Sequence, residues 1–349
     1  MFRRKETRAQ ISFDSLLPDG RAAGVAPSGK VWATHQAYPG EIADCKSHKS
    51  KNGLKVAEVE KLIKALPERT NPKEEHWQSC SPWQTISYQK QLFLKNQIVS
   101  ELFKDKIPEQ IIKSIKESPM IWGYRTKYEY SFYQDDDGLH LALHKRGSTK
   151  GKYKLENGCL LISEATNQVA IEITKILNSQ GVKAFNLKTL VVRENKNTRG
   201  VVAVLYAKDK ELPGLKEGAF QKIPGLKGFH IFYSNPLSPA NIPTEKIFSI
   251  GDWFTKEKVD ALELEYPADG FFQNNLPMLG SAISDISNFL NKDKSLLDLY
   301  CGCGTLGLAL SGRAKSATGL EVHPQSAEIA LQNAINNKID NYKSICAPA

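Results

Sequence analysis

The sequence predicts an α/β, multidomain chain, and three observations carry the prediction. Leu296 to Tyr300 is a short apolar run broken by one acid, Asp298, and it leads into Gly302, Gly304 and Gly307 in G-x-G-x-x-G spacing. Residues 11 to 65 are crowded with glycine punctuation and short apolar runs around Phe13, Val31-Trp32-Ala33, Ile42 and Val59, the pattern of a small all-β unit. Between these ends, helical and strand-like stretches alternate as in an α+β domain. At 349 residues the chain is long enough for two or three domains, divided here at 1–68, 69–265 and 266–349.

The glycine-rich stretch is the most informative. Leu296 to Tyr300 reads as a buried parallel strand, and Leu306 to Leu310 opens a helix. A turn between them this tight needs residues without Cβ, so that the backbone bends and lies close against a ligand. Thr318 to Glu321 reads as the end of a second strand. Glu321 lies about 20 residues beyond the glycines, where an acid binds both hydroxyls of a ribose. Gly302, Gly304 and Glu321 thus mark a nucleoside-cofactor site in a Rossmann-like domain, and spacing alone fits NAD or S-adenosylmethionine (SAM). Cys301 and Cys303 read as small residues filling the turn. Two sulfurs with no nearby His or further Cys cannot complete a tetrahedral shell, so no metal site is expected there or elsewhere.

The string from Asp298 to Thr305, D-L-Y-C-G-C-G-T, resembles motif I (D-L-Y/F-C-G-x-G) of the SAM-dependent RNA methyltransferases that make 5-methyluridine. Upstream, Asp269 to Asn275 resembles that family's F-x-Q-x-N segment, and Trp122 to Phe132 its Y-R-N-K-x-E-F-S strand. Asp19-Gly20-Arg21, Gly29-Lys30-Val31-Trp32 and Ala37-Tyr38-Pro39-Gly40-Glu41 follow the order of the TRAM domain, an OB-type β-barrel that precedes many of these enzymes. The resemblance implies a TRAM-like barrel, a central α+β RNA-contacting domain and part of a class I methyltransferase domain. It also implies that Gln273 binds the methionine end of SAM, that Tyr300 packs beside the cofactor and that Glu321 holds the ribose. Read from the residues alone, Gln273 is a loop amide that caps the next helix.

Two departures from the family matter. Many of its members carry C-x5-C-x2-C before W-Q-H and a later fourth cysteine, which together ligate a [4Fe–4S] cluster. With Trp83-Gln84 aligned, those three positions hold Pro72, Gln78 and Ser81. Cys80 stands one place early, and Cys159 matches the later ligand. A cluster needs four thiolates, so none is expected. Second, carbon 5 of uracil attacks SAM only after a cysteine thiolate adds to carbon 6, and a base then removes the carbon-5 proton. The family's D-P-P-R-x-G and S-C-N-P strings and its C-terminal acid do not occur here. Cys346, in I-C-A-P-A, does not match, so no catalytic residue is assigned, and a truncated or split gene product or a fragment of a longer sequence is expected.

Composition fits the same picture. There are 47 Lys and Arg against 38 Asp and Glu, a formal +9, which favours a polyanionic partner. Lys46, Lys49, Lys51 and Lys55 form one acid-free loop, and Lys145, Arg146, Lys150, Lys152 and Lys154 a second basic stripe. Arg125 and Lys127 are expected to hold RNA phosphates beside Tyr128, Tyr130 and Phe132, on which unpaired bases would stack. Ser87 to Phe103 reads as an amphipathic helix with Leu92, Ile98, Val99 and Leu102 on its apolar face. Glu164 to Asn178 reads as another helix, and Pro213, Gly214, Pro224 and Gly225 as a connection. Six irregularly spaced cysteines and no apolar run of about 18 residues point to a cytoplasmic protein, expected to be a monomer. The resemblance implies RNA as the partner, ribosomal 23S RNA before transfer RNA, because the bacterial transfer-RNA enzymes of that family commonly lack a TRAM segment. An RNA-binding protein without catalysis and an NAD-dependent enzyme remain as alternatives.

Overall fold

Contacts divide the chain into two units, Met1–Glu117 with Lys145–Gly151, and Ser118–His144 with Lys152–Ala349. The computed structural model describes residues 6–47, 50–146, 151–212 and 214–349, so Lys49, Lys150 and Pro213 lie outside the described residues.

The first unit begins with short strands in two sheets. Thr7–Ser12, Ile42–Ser47 and Glu58–Lys64 form an antiparallel sheet with Ile42–Ser47 at its centre. Ser15–Leu16, Ala22–Val25, Val31–Thr34, Leu54–Val56 and Ser50–Lys51 form the other, in that order. Both contribute to one core of Ile11, Phe13, Ala22, Trp32, Ala43 and Cys45. They meet where Asp14 N–H donates to the Ala23 carbonyl at 3.0 Å. At that seam a Cβ on Gly24 would stand 2.0 Å from the Ser12 carbonyl oxygen. Backbone contact replaces a continuous ladder there. Among the described residues the strands therefore close no ring, which corrects the expected barrel to two packed sheets.

Beyond the sheets come the short helix Trp77–Cys80, the 3-10 turn Pro82–Thr85 and the helix Tyr88–Phe103. Ser87 caps this last helix, its hydroxyl accepting from Lys90 N–H at 3.4 Å. The helix buries Leu92 and Leu94, whereas Leu102 is 42% exposed. The apolar face expected from periodicity is thus replaced by burial confined to the first half.

The second unit is built on a seven-stranded sheet. Its order is Lys152–Leu155, Gly138–His144, Lys127–Asp135, Leu187–Glu194, Val201–Ala207, Leu226–Tyr233, Glu245–Gly251. Only Val201–Ala207 and Leu226–Tyr233 pair in parallel. Every residue of Val201–Ala207 is buried, as its unbroken apolar run requires. Helix Glu164–Ser179 covers one face and buries Val169, Ala170, Ile173 and Leu177, the spacing of one helical stripe.

A hairpin, Phe254–Val259 and Leu262–Pro267, then leads through a loop to helix Leu276–Ser287 and a three-stranded parallel sheet. The sheet runs Ser295–Leu299, Ser316–Glu321, Tyr342–Cys346, joined by helices Thr305–Ser311 and Pro324–Asn336. Leu264, Tyr266, Phe272, Leu279, Leu308, Ala330 and Tyr342 share one core, so hairpin and sheet are packed together. Ser295–Leu299 is not the buried strand expected. It lies at the sheet edge with one neighbour, and Leu297 and Leu299 are 57% and 49% exposed.

Candidate functional site

The predicted glycine turn exists, at the carboxyl end of the first parallel strand. The strand stops at Leu299, and Tyr300 takes a left-handed φ of 61°, followed by Gly302 at 57° and Gly304 at 86°. A non-glycine residue in that region carries strain, and strain of this kind persists where a site demands it. The Tyr300 ring points outward, 76% exposed.

The turn is fastened at three points. Cys301 N–H donates to the Leu320 carbonyl at 2.9 Å, and Gly304 N–H to the Cys301 carbonyl at 2.9 Å. Asp298 Oδ2 accepts from Gly307 N–H at 2.8 Å. Burial pushes the Asp298 carboxyl above its usual range, and the Gly307 hydrogen bond partly offsets that. The glycines differ in purpose. A Cβ on Gly304 would stand 2.8 Å from Leu308 Cδ1, and one on Gly307 would stand 2.8 Å from the Tyr342 ring and 3.0 Å from Asp298 Oδ2. At Gly302 nothing lies within 4 Å of that position, so its face is open to a ligand.

Glu321 ends the second strand beside this turn. Its Oε2 accepts from Gly302 N–H at 3.0 Å and its Oε1 from His323 N–H at 2.9 Å. Each carboxylate oxygen keeps a second lone pair, which is what paired hydroxyl donors require. Tyr300, Gly302, Gly304 and Glu321 are thus brought together.

Gln273 lies on the loop between hairpin and helix. Phe272 stacks on Tyr266 with ring centroids 4.1 Å apart. Thr126 N–H donates to the Asn274 carbonyl at 3.2 Å. The helix cap is Asn275, whose side chain accepts from Met278 N–H at 3.3 Å, so Gln273 does not serve as the cap.

The cysteines of the turn are structural. Cys301 and Cys303 are buried in the core, and burial pushes the Cys301 thiol up to about 11. Cys346 is exposed at the end of the third strand, paired in register with Glu321.

The expected RNA-facing groups are only partly available. Tyr128, Tyr130 and Phe132 do share a strand face, but they are buried at 6%, 0% and 2% exposure, so none can stack on a base. Alternation identified the strand but could not say that its aromatic face was the covered one. Lys127 pairs with Glu129 at 2.7 Å, and Lys152 donates to the Phe132 carbonyl at 2.6 Å. Lys154 pairs with Asp135 at 3.1 Å, and Lys46 with Glu58 at 3.2 Å.

A strained glycine turn with a carboxylate at the tip of the next parallel strand is the geometry of a Rossmann-like nucleoside-binding site. Residues 244–348 match the family model described as tRNA (Uracil-5-)-methyltransferase. Over those residues the chain is similar to RNA uracil-5-methyltransferases, and the curated proteins it resembles along its length are RNA methyltransferases. An RNA methyltransferase of Thermotoga maritima is 23% identical, over 96% of this chain and 78% of its own. One from Lactobacillus johnsonii is 27% identical, over 94% and 76%. The crystal structure of Pyrococcus abyssi tRNA (uracil-54, C5)-methyltransferase with S-adenosyl-L-homocysteine has the same fold. It covers 97% of this chain and 79% of its own at a TM-score of 0.76 and 19% identity. No described helix is long and apolar enough to cross a membrane.

Proposed function

We propose that this chain binds SAM at the glycine turn and serves methylation of carbon 5 of a uridine in RNA. One observation carries the reading: the Glu321 carboxylate is fixed by Gly302 and His323 at the open face of the turn. The residues fit the cofactor. Glu321 takes the two ribose hydroxyls, the exposed Tyr300 ring covers the adenosyl group, Gly302 and Gly304 keep the backbone close, and Gln273 meets the methionine end. Bound there, SAM supplies an electrophilic methyl group. None of the six cysteines is assigned the attack on carbon 6.

The domain reading is a TRAM-like N-terminal segment at 1–68, an RNA-contacting region at 69–265 and a methyltransferase segment at 266–349, in a cytoplasmic monomer. The TRAM-like order favours ribosomal RNA. The name of the Pyrococcus abyssi enzyme supports transfer RNA as the second reading. The test supplies labelled SAM with 23S ribosomal and transfer-RNA transcripts. Label at carbon 5 of uridine supports the proposal, and the transcript labelled decides between substrates. RNA binding with no turnover would favour a binding protein without catalysis.

A further inference from the structure

The segment that departs from the family's cysteine pattern holds a different set of donors. Glu74, His76 and Cys80 present a carboxylate oxygen, a ring nitrogen and a thiol sulfur that lie within 4.8 Å of one another. His76 and Cys80 stand four residues apart around the helical turn Trp77–Cys80, which puts both on one side. Glu74 reaches back to each of them. His76 Nε2 is 3.1 Å from Glu74 Oε1, and Cys80 Sγ donates to Glu74 Oε2 at 3.3 Å. The His76 and Glu74 side chains are only 9% and 6% exposed.

The donors stand close to the spacing of a coordination shell. Ligand bonds of about 2.0–2.3 Å put neighbouring donors of a tetrahedron roughly 3.3–3.7 Å apart. A further residue holds the group in place. Gln84 Nε2 donates to Glu74 Oε2 at 2.7 Å and stands 3.4 Å from Cys80 Sγ, while its Oε1 accepts from Lys73 N–H at 3.1 Å. Outer partners of this kind orient metal ligands.

The donors exclude the iron–sulfur cluster. That group takes four thiolates, and Pro72, Gln78 and Ser81 supply none at the aligned positions. One thiolate, one imidazole and one carboxylate instead suit a borderline-soft divalent ion, whereas magnesium and calcium prefer oxygen alone. We propose that Glu74, His76 and Cys80 bind a single Zn2+ ion, with the fourth corner left to water or another donor. Binding releases the Cys80 thiol proton to solvent and uses the Nε2 lone pair of His76 with the ring proton on Nδ1. The ion would pin the turn 74–84, a structural role separate from the glycine turn.

The test uses the full chain. It is stripped with chelator, reconstituted with Zn2+ and analysed for metal, and in parallel loaded with Co2+. About one Zn2+ per chain is expected, with a near-ultraviolet thiolate-to-cobalt band. Cys80→Ser should abolish that band, the control Cys346→Ser should keep it, and His76→Ala should weaken binding about tenfold or more. Glu74→Gln, which keeps side-chain shape, should also weaken binding, and it guards against misfolding of the Cys80 variant. Less than about 0.1 Zn2+ per chain, a band unchanged in Cys80→Ser, or an iron–sulfide chromophore would overturn the proposal.

Discussion

Gly302 and Gly304 sit two residues apart and predict different failures. At Gly304 a methyl group meets Leu308 and Ala330 at 2.8 Å and 3.2 Å on a left-handed backbone. Gly304→Ala is expected to cost about 1–3 kcal/mol, read as a lower urea midpoint. Gly302→Ala meets nothing within 4 Å, so it pays only for its φ of 57°, roughly 1–2 kcal/mol, and its methyl blocks the open face. It should lose cofactor affinity out of proportion to stability. Glu257 tests another property. It is fully buried, accepts from Lys196 N–H at 2.7 Å, and burial raises its carboxyl from 4.5 to about 7. A raised carboxyl favours the protonated folded state, so its contribution is present below about 4.5 and lost as pH climbs through about 7. Glu257→Gln should therefore raise the thermal midpoint at pH 8 relative to pH 5, and an unchanged difference would refute the assignment.

Among elements, the first sheet is secured to the following segment by one buried carboxylate. Glu41, which is fully buried, accepts from Arg69 Nε at 2.6 Å and Nη2 at 2.7 Å, from Tyr38 N–H at 3.0 Å and from Leu66 N–H at 2.9 Å. Removing it strands the partly covered Arg69 and two amides. Glu41→Ala should destabilise the first unit by about 3 kcal/mol, measured by denaturant unfolding. The same elements show what sequence could and could not reveal. The turn and Glu321 were legible because their geometry depends on spacing within one strand–turn–helix–strand unit. The fastening of that turn by Asp298 required knowing which way its side chain points. The strand carrying Tyr128, Tyr130 and Phe132 was legible from alternation, but its exposed face was not, because burial depends on the distant helix and neighbouring strands. Glu74 and His76 are not legible from sulfur spacing, although the string E-x-H-x3-C marks them.

For the whole molecule, α/β character and the parallel order of the last three strands follow from local patterns. The two-sheet form of the N-terminal unit does not, because closure depends on whether a ladder or a close backbone approach, as at Gly24, forms the seam. Adenosyl recognition by Glu321 is tested most directly by calorimetric titration with S-adenosylhomocysteine. The wild-type chain should bind, and Glu321→Gln, which keeps an oxygen for the Gly302 amide but removes the charge, should bind about tenfold more weakly or worse. Equal affinity in the two proteins, or no binding by the wild type, would contradict it.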